Sequence, residues 1–271
     1  MQVAANGVQI HVEEQGEGEP AIVFLHYWGG SARTWRHVTA GLSSAYRTIA
    51  TDHRGWGQSE APPSGYALGD LADDALGVVR ALGLKRYILV GHSMGGKVAQ
   101  LIASRRPEEL AGLVLVAPAP PTPIALPATA REMMAGAYVS RDSVEATIDQ
   151  VLSAGPLSPA DREQVIADSL GGAPQAKKAW PASTSLEDIT RVVGRIAVPT
   201  LVISGERDQV DPPATLQTEL IARLSDAVLH VLPGVGHLLP LEAPEALTRL
   251  IADFTTAQDP AVSRATRKFS A

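Results

Sequence analysis

Arg86-Tyr87-Ile88-Leu89-Val90-Gly91-His92-Ser93-Met94-Gly95-Gly96-Lys97-Val98 is the stretch on which the fold turns. Its first five residues have the aliphatic and aromatic composition of a buried strand. Beyond the glycines, Val98, Leu101 and Ile102 recur at helical spacing, leaving Lys97, Gln100 and Arg105 for the opposite face. A strand before and a helix after make Gly91-x-Ser93-x-Gly95 a candidate nucleophile elbow. Such a turn holds its serine in a strained conformation, and side chains at positions 91 and 95 would collide with neighbouring backbone. The hydroxyl then stands clear of the sheet, where a helix N-terminus favours developing negative charge. The same residues also spell G-x-x-x-x-G-K, a phosphate-cradling loop. That loop needs Ser or Thr next to hold magnesium, and the next residue is Val98. A plain glycine-rich turn is the third reading.

With 271 residues, 45% of them hydrophobic, the chain suits one large α/β domain, alone or with an insertion. No run resembles a transmembrane span, and no membrane partner is expected. The absence of cysteine excludes disulfides, thiol catalysis and cysteine-ligated metals. A net charge of −6 argues against a nucleic-acid footprint, which would show as a basic stripe. Met1-Gln2-Val3-Ala4-Ala5 has neither a charged start nor an apolar signal core, so the expectation is a cytoplasmic protein. Oligomeric state stays open, a homodimer included.

Asn6-Gly7 between apolar runs predicts a hairpin, because both turn positions need positive φ. Ala21 to Leu25 reads as a central strand ending in His26-Tyr27-Trp28-Gly29-Gly30-Ser31, with a helix from Ser31 to about Ala45. A further strand over Arg47 to Thr51 runs into the polar turn Asp52 to Ser59, and a helical stripe over Leu71 to Leu82 leads to the elbow. Strands alternating with helices at this pace predict a mostly parallel, eight-stranded sheet covered on both faces. After Leu113 to Val116 the rhythm breaks. Prolines crowd Ala117 to Pro127, and helical patterns follow over Arg131 to Tyr138, Ser143 to Leu152, Pro159 to Leu170 and Leu186 to Val193. Ser143 and Ser158 read as N-caps, Ser158 with Pro159 at the first helical position. Strands return at Thr200 to Ser204 and Val228 to Leu232, before a closing helix over Ala243 to Phe254. The organisation expected is a core of residues 1–120 and 197–256, a helical cap over 121–196, and a mobile tail over 257–271.

A serine hydroxyl needs a base to take its proton, and the base needs a third group to orient it. Open α/β sheets gather such groups at the carboxyl ends of their strands. Asp208 follows one late strand and His237 the last, giving the chain order Ser, Asp, His. Asp211 and Glu206 compete with Asp208, and His53 competes as base. His11 and His230 lie in strand patterns and His37 in a helix, while His92 points away from Ser93. No two histidines have metal-ligand spacing.

These residues resemble the α/β-hydrolase family over residues 2 to about 255. His26-x-x-Gly29-Gly30 resembles its oxyanion loop, Asp52-x-Arg54-Gly55-x-Gly57-x-Ser59 its polar turn, and Gly91-x-Ser93-Met94-Gly95-Gly96 its elbow. Gly205-x-x-Asp208 and Gly236-His237 resemble its acid and base segments. Within the family the chain is most similar to bacterial esterases of the non-haem haloperoxidase-like branch. The resemblance implies Ser93 as nucleophile, Asp208 and His237 completing a triad, and the backbone N–H groups of Trp28 and Met94 as oxyanion donors. It implies hydrolysis of a carboxylic ester or lactone with no metal or organic cofactor. Perhydrolysis and carbon–carbon bond hydrolysis are variants in the same site, and a slow-turnover ligand sensor is an alternative of another class. Asp52, Arg54 and Ser59 read as scaffold. Tyr27 stands where the family has Gly and is expected to narrow the acyl pocket, roofed by Met133, Met134, Tyr138 and Trp180. Activity is expected to rise through a pH near the ordinary histidine value of about 6.5.

Overall fold

A computed structural model describes residues 1–258. Ala257 closes the last helix, and the rest of the expected tail, from residue 259, lies outside the described residues. The strands are β1 (Gln2–Ala5), β2 (Val8–Gln15), β3 (Ala21–Leu25), β4 (Thr48–Thr51), β5 (Tyr87–His92), β6 (Leu110–Val116), β7 (Thr200–Gly205) and β8 (Ala227–Leu232). They form one eight-stranded sheet in the order β1-β2-β4-β3-β5-β6-β7-β8. Pairing is antiparallel from β1 through β2 to β4, and parallel from there on. This is the α/β-hydrolase fold.

The hairpin forms where both turn residues reach positive φ, Asn6 at 48° and Gly7 at 80°. Strands β3 and β5 are buried along their whole length because helices cover both faces. On one face Val23, Leu25 and Leu89 pack with α2 (Leu68–Ala81) and α3 (Met94–Ser104). On the other, Phe24, Val90 and Val114 pack with α1 (Arg36–Leu42) and the final helix (Pro244–Ala257).

Between β6 and β7 the chain leaves the sheet for a helical segment: α4 (Ala128–Gly136), α5 (Arg141–Thr147), α6 (Pro159–Gly171), α7 (Pro174–Ala182) and α8 (Thr190–Val193). Beyond β7 come α9 (Pro213–Glu219), α10 (Leu239–Glu242) and α11, the final helix. Ser158 caps α6, its hydroxyl accepting the Asp161 N–H, with Pro159 at the first position. Other boundaries differ from the sequence reading. Ser31 caps a short 3₁₀ turn, Ala32–Trp35, and α1 already ends at Leu42. Ser140, not Ser143, caps α5; the Ser143 side chain returns to the cap's backbone, and the helix loosens to a π turn over Ile148–Leu152. Leu186 to Val193 breaks in two, because the Asp188 carboxylate takes the Thr190 N–H and starts α8 afresh. Among the described residues no helix is long and apolar enough to cross a membrane.

On the opposite face of α3, Lys97 and Gln100 are also buried, while Arg105 at its end stays exposed and pairs with Asp73. Lys97 Nζ donates to the carbonyls of Thr122 (2.9 Å) and Ser185 (3.5 Å). Gln100 Nε2 donates to the Ala119 carbonyl at 2.9 Å. The segment between β6 and β7 folds back over this face, so its polar groups serve as anchors. Lys97 therefore does not reach toward a phosphate, and the phosphate-loop reading falls.

Candidate active site

Ser93 stands between β5 and α3 at φ 52°, ψ −115°, a conformation that L-residues rarely adopt. The turn is tight enough that a side chain at Gly91 would run into the Gly95 carbonyl. One at Gly95 would meet the carbonyls of Leu25 and His26 at 2.6 Å. The Ser93 backbone is fixed by its own N–H, which donates to the Val116 carbonyl, and by its carbonyl, which accepts from Ala119. Ser93 opens onto a cavity of about 500 Å³, and the His237 ring lines the same cavity.

His237 follows β8 and is 1% exposed. Its Nδ1 lies 2.8 Å from Asp208 Oδ2. Since the carboxylate only accepts, Nδ1 carries the proton and Nε2 is the free basic atom. Asp208 Oδ1 accepts the N–H groups of Val210 and Asp211, which fixes the carboxylate. Burial raises the Asp208 pKa, but the His237 ring and these N–H groups outweigh it and the net shift is downward. Burial lowers the His237 pKa, but Asp208 outweighs it and the net shift is upward. Among the described residues Ser93 Oγ makes no hydrogen bond to the ring; such contacts commonly tighten only with substrate bound.

Neither competing carboxylate hydrogen-bonds to His237. Glu206 accepts the Gly234 N–H at the surface. Asp211 lines the cavity, yet its Oδ2 is buried without a partner. His53 is buried against His26 and donates from Nε2 to the His26 carbonyl. The His53 N–H donates to His26 Nε2 at 3.0 Å, so His26 Nδ1 is protonated and donates to the Tyr27 carbonyl at 2.6 Å. This pair pins the loop that carries Tyr27 and Trp28. Asp52 accepts from the Ala32 and Gln58 N–H groups and pairs with His11, while Arg54 pairs with buried Asp74. Neither Asp52, Arg54 nor Ser59 lines the cavity.

Tyr27, Trp28, Met133, Met134, Tyr138 and Trp180 all line it. The Trp28 and Tyr138 rings lie 4.2 Å apart, and the Tyr138 hydroxyl donates to the Trp28 carbonyl at 2.9 Å. Met133 is 74% exposed, which puts it at the mouth rather than in the roof. The Met94 side chain points instead to a small void beside Arg54 and Trp56, while its N–H begins α3, where no intrahelical acceptor exists.

Two contributions were not visible in the sequence. His92 donates from Nε2 to the His237 carbonyl at 2.8 Å, so the elbow's own histidine holds the backbone of the distant one. The Leu152 carbonyl accepts the N–H groups of His237 and Leu238, so the helical segment also positions the ring. A histidine beside the elbow serine was the only hint of the first; nothing local marks the second.

A family profile described as alpha/beta hydrolase fold matches residues 20–244. The chain is 32% identical to a non-heme haloperoxidase of Rhodococcus erythropolis, over 86% of this chain and 91% of that protein. It is 29% identical to the 2-(acetamidomethylene)succinate hydrolase of Mesorhizobium japonicum, over 92% of both. The crystal structure of the enol-lactonase from Burkholderia xenovorans superposes with a TM-score of 0.82 at 26% identity, over 94% of this chain and all of that one. With a family match over most of its length and this sheet order, the chain belongs to the α/β-hydrolase family, in its non-haem haloperoxidase-like branch.

Proposed function

We propose that the protein is a serine hydrolase of neutral carboxylic esters or lactones, working through an acyl-enzyme. One observation carries this reading: the 2.8 Å bond between Asp208 and His237 lies at the wall of the same cavity onto which Ser93 opens. Ser93 Oγ attacks the carbonyl carbon while His237 Nε2 takes its proton. The N–H groups of Trp28 and Met94 receive the oxyanion. The tetrahedral intermediate collapses, the C–O bond breaks, and the alcohol leaves with the proton from His237. Water then repeats the sequence on the acyl-enzyme and releases the acid.

Residues 121–196 act as a cap in this reading. The cavity walls are mostly apolar, and among the described residues no lysine or arginine lines them. Arg131 and Lys177 are engaged with backbone carbonyls instead. A neutral substrate fits such a wall, since a carboxylate there would lose hydration without gaining a cation. The haloperoxidase relatives favour a second reaction in the same site, in which peroxide replaces water in deacylation.

A fluorophosphonate probe and p-nitrophenyl butanoate test the proposal. Wild type should be labelled and turn the ester over, and Ser93→Ala should do neither. Asp208→Asn should lose on the order of 10⁴ in kcat. Labelling at a residue other than Ser93, or full activity in Ser93→Ala, would overturn it.

A further inference from the structure

Asp211 is a group for which the acyl-transfer steps have no use. It is 3% exposed, it lines the cavity, and its Oδ2 has no hydrogen-bond partner. Its backbone N–H donates to Asp208 Oδ1, which fixes Asp211 beside the Asp208–His237 pair. A buried carboxyl oxygen without a partner is destabilising, and native structures keep such groups where something else completes them. Oδ2 is enclosed by protein, so the oxygen that the carboxyl turns to the cavity is Oδ1, which makes no hydrogen bond among the described residues. A partner for it comes from the contents of the cavity.

We propose that Asp211 determines specificity: its carboxyl binds a neutral hydroxyl or amide substituent of the ester or lactone that Ser93 attacks. This rests on the ester-hydrolase reading above. A carboxyl group can donate through O–H or accept through C=O at the oxygen that faces the cavity, and hydroxyls and amides match either role. Burial pushes the Asp211 carboxyl up to about 8. Asp208 adds to the rise, while His237 and Lys97 oppose it. At neutral pH the group therefore keeps its proton and can donate. A cationic substituent would need the ionised form that this site disfavours. An anionic one would find no lysine or arginine on the wall.

The test compares ethyl esters that differ only by hydroxyl against methyl at one carbon: 2-hydroxy- with 2-methylbutanoate, 3-hydroxy- with 3-methylbutanoate, and 5-hydroxy- with 5-methylhexanoate. The readout is the ratio of kcat/KM within each pair. In at least one pair the wild-type ratio should exceed that of Asp211→Val by about 10- to 100-fold, the value of a buried hydrogen bond made or left empty. Asp211→Asn, which still donates and accepts, should keep most of the preference. Ratios within twofold of each other in wild type and Asp211→Val, for every pair, would overturn the proposal and leave ordered water as the partner.

Should Asp211→Val not fold, wild type alone decides. At the carbon where the hydroxyl preference appears, the wild-type preference for methoxy over ethyl needs a donor, and should fall above pH 8 while the hydroxyl preference persists; no hydroxyl preference at any carbon overturns the proposal. Parallel pH behaviour of the two preferences would overturn the proposal. Because each is a ratio at one pH, the titration of His237 cancels. Turnover of p-nitrophenyl butanoate separates the two readings. Its absence removes the ester-hydrolase reading and this inference with it, whereas turnover with flat ratios removes this inference alone.

Discussion

His237 is fully enclosed, and two opposed effects act on its ring. Burial disfavours the imidazolium, and the adjacent Asp208 carboxylate favours it; the second prevails and the pKa rises above the ordinary histidine value. In the proposed mechanism only the neutral ring can take the proton of Ser93. The acid limb of kcat/KM should therefore have its midpoint above about 6.5, not near it as the sequence alone suggested. Asp208→Asn removes the carboxylate and leaves the burial, so the midpoint of its residual activity should fall below that of wild type. Rate profiles from pH 5 to 9 for both proteins check this. A wild-type midpoint at or below 6.5, or one that Asp208→Asn leaves in place, would show that the carboxylate does not govern the ring. The same residue scale accounts for Ser93, whose positive φ persists because Gly91 and Gly95 leave room for the turn.

At the scale of elements, the sequence disclosed whatever is encoded within a few residues. Asn6-Gly7 marked its hairpin, Ser158-Pro159 its helix start, and the glycines around Ser93 their turn, because each needs a conformation that few residues supply. The order of Ser93, Asp208 and His237 along the chain could also be read, since strand ends recur at a regular pace. What depended on the segment folding back was hidden. Lys97 and Gln100 look like a solvent face in α3 until the chain between β6 and β7 covers them. Helix α7, bounded by Pro174 and carrying Pro181, was masked by its prolines, although Ala176 and Trp180 fall one turn apart. The Lys97 anchor makes its own prediction. Its ammonium joins the two ends of the helical segment at Thr122 and Ser185, and Lys97→Met leaves both carbonyls without this donor. The local loss should be about 1–3 kcal/mol. Amide exchange should quicken at residues 121–127 and 183–189 while β5 and β6 keep their protection. Exchange that changes evenly across the sheet, or nowhere, would show that Lys97 fills space without anchoring.

For the whole molecule, buried ionisable groups set opposite limits on stability against pH. His26, His53 and His92 are buried and held neutral, with pKa values lowered by burial, that of His26 to about 4. The unfolded chain binds protons at these positions below about 6.5 where the folded chain does not, so stability is lost as pH falls from there toward 4. Asp211 acts the other way. Its folded pKa is raised by burial to about 8 from 3.8. Between those values the unfolded chain has released a proton that the folded chain retains. Its contribution is therefore full below about pH 4 and is lost as pH rises through 8. Asp211→Asn cancels this second effect and leaves His26, His53 and His92 untouched, since none of them owes its shift to Asp211. The difference in Tm between Asp211→Asn and wild type should be smallest near pH 4, grow in favour of the variant up to about pH 8, and stay level above it. Thermal unfolding of both proteins at pH 4, 6, 8 and 9 measures that difference, and terms common to both proteins cancel. A difference independent of pH would mean that Asp211 ionises as readily in the fold as in the unfolded chain. The carboxyl would then face the cavity as an anion at neutral pH, and a neutral hydroxyl could only donate to it, never accept.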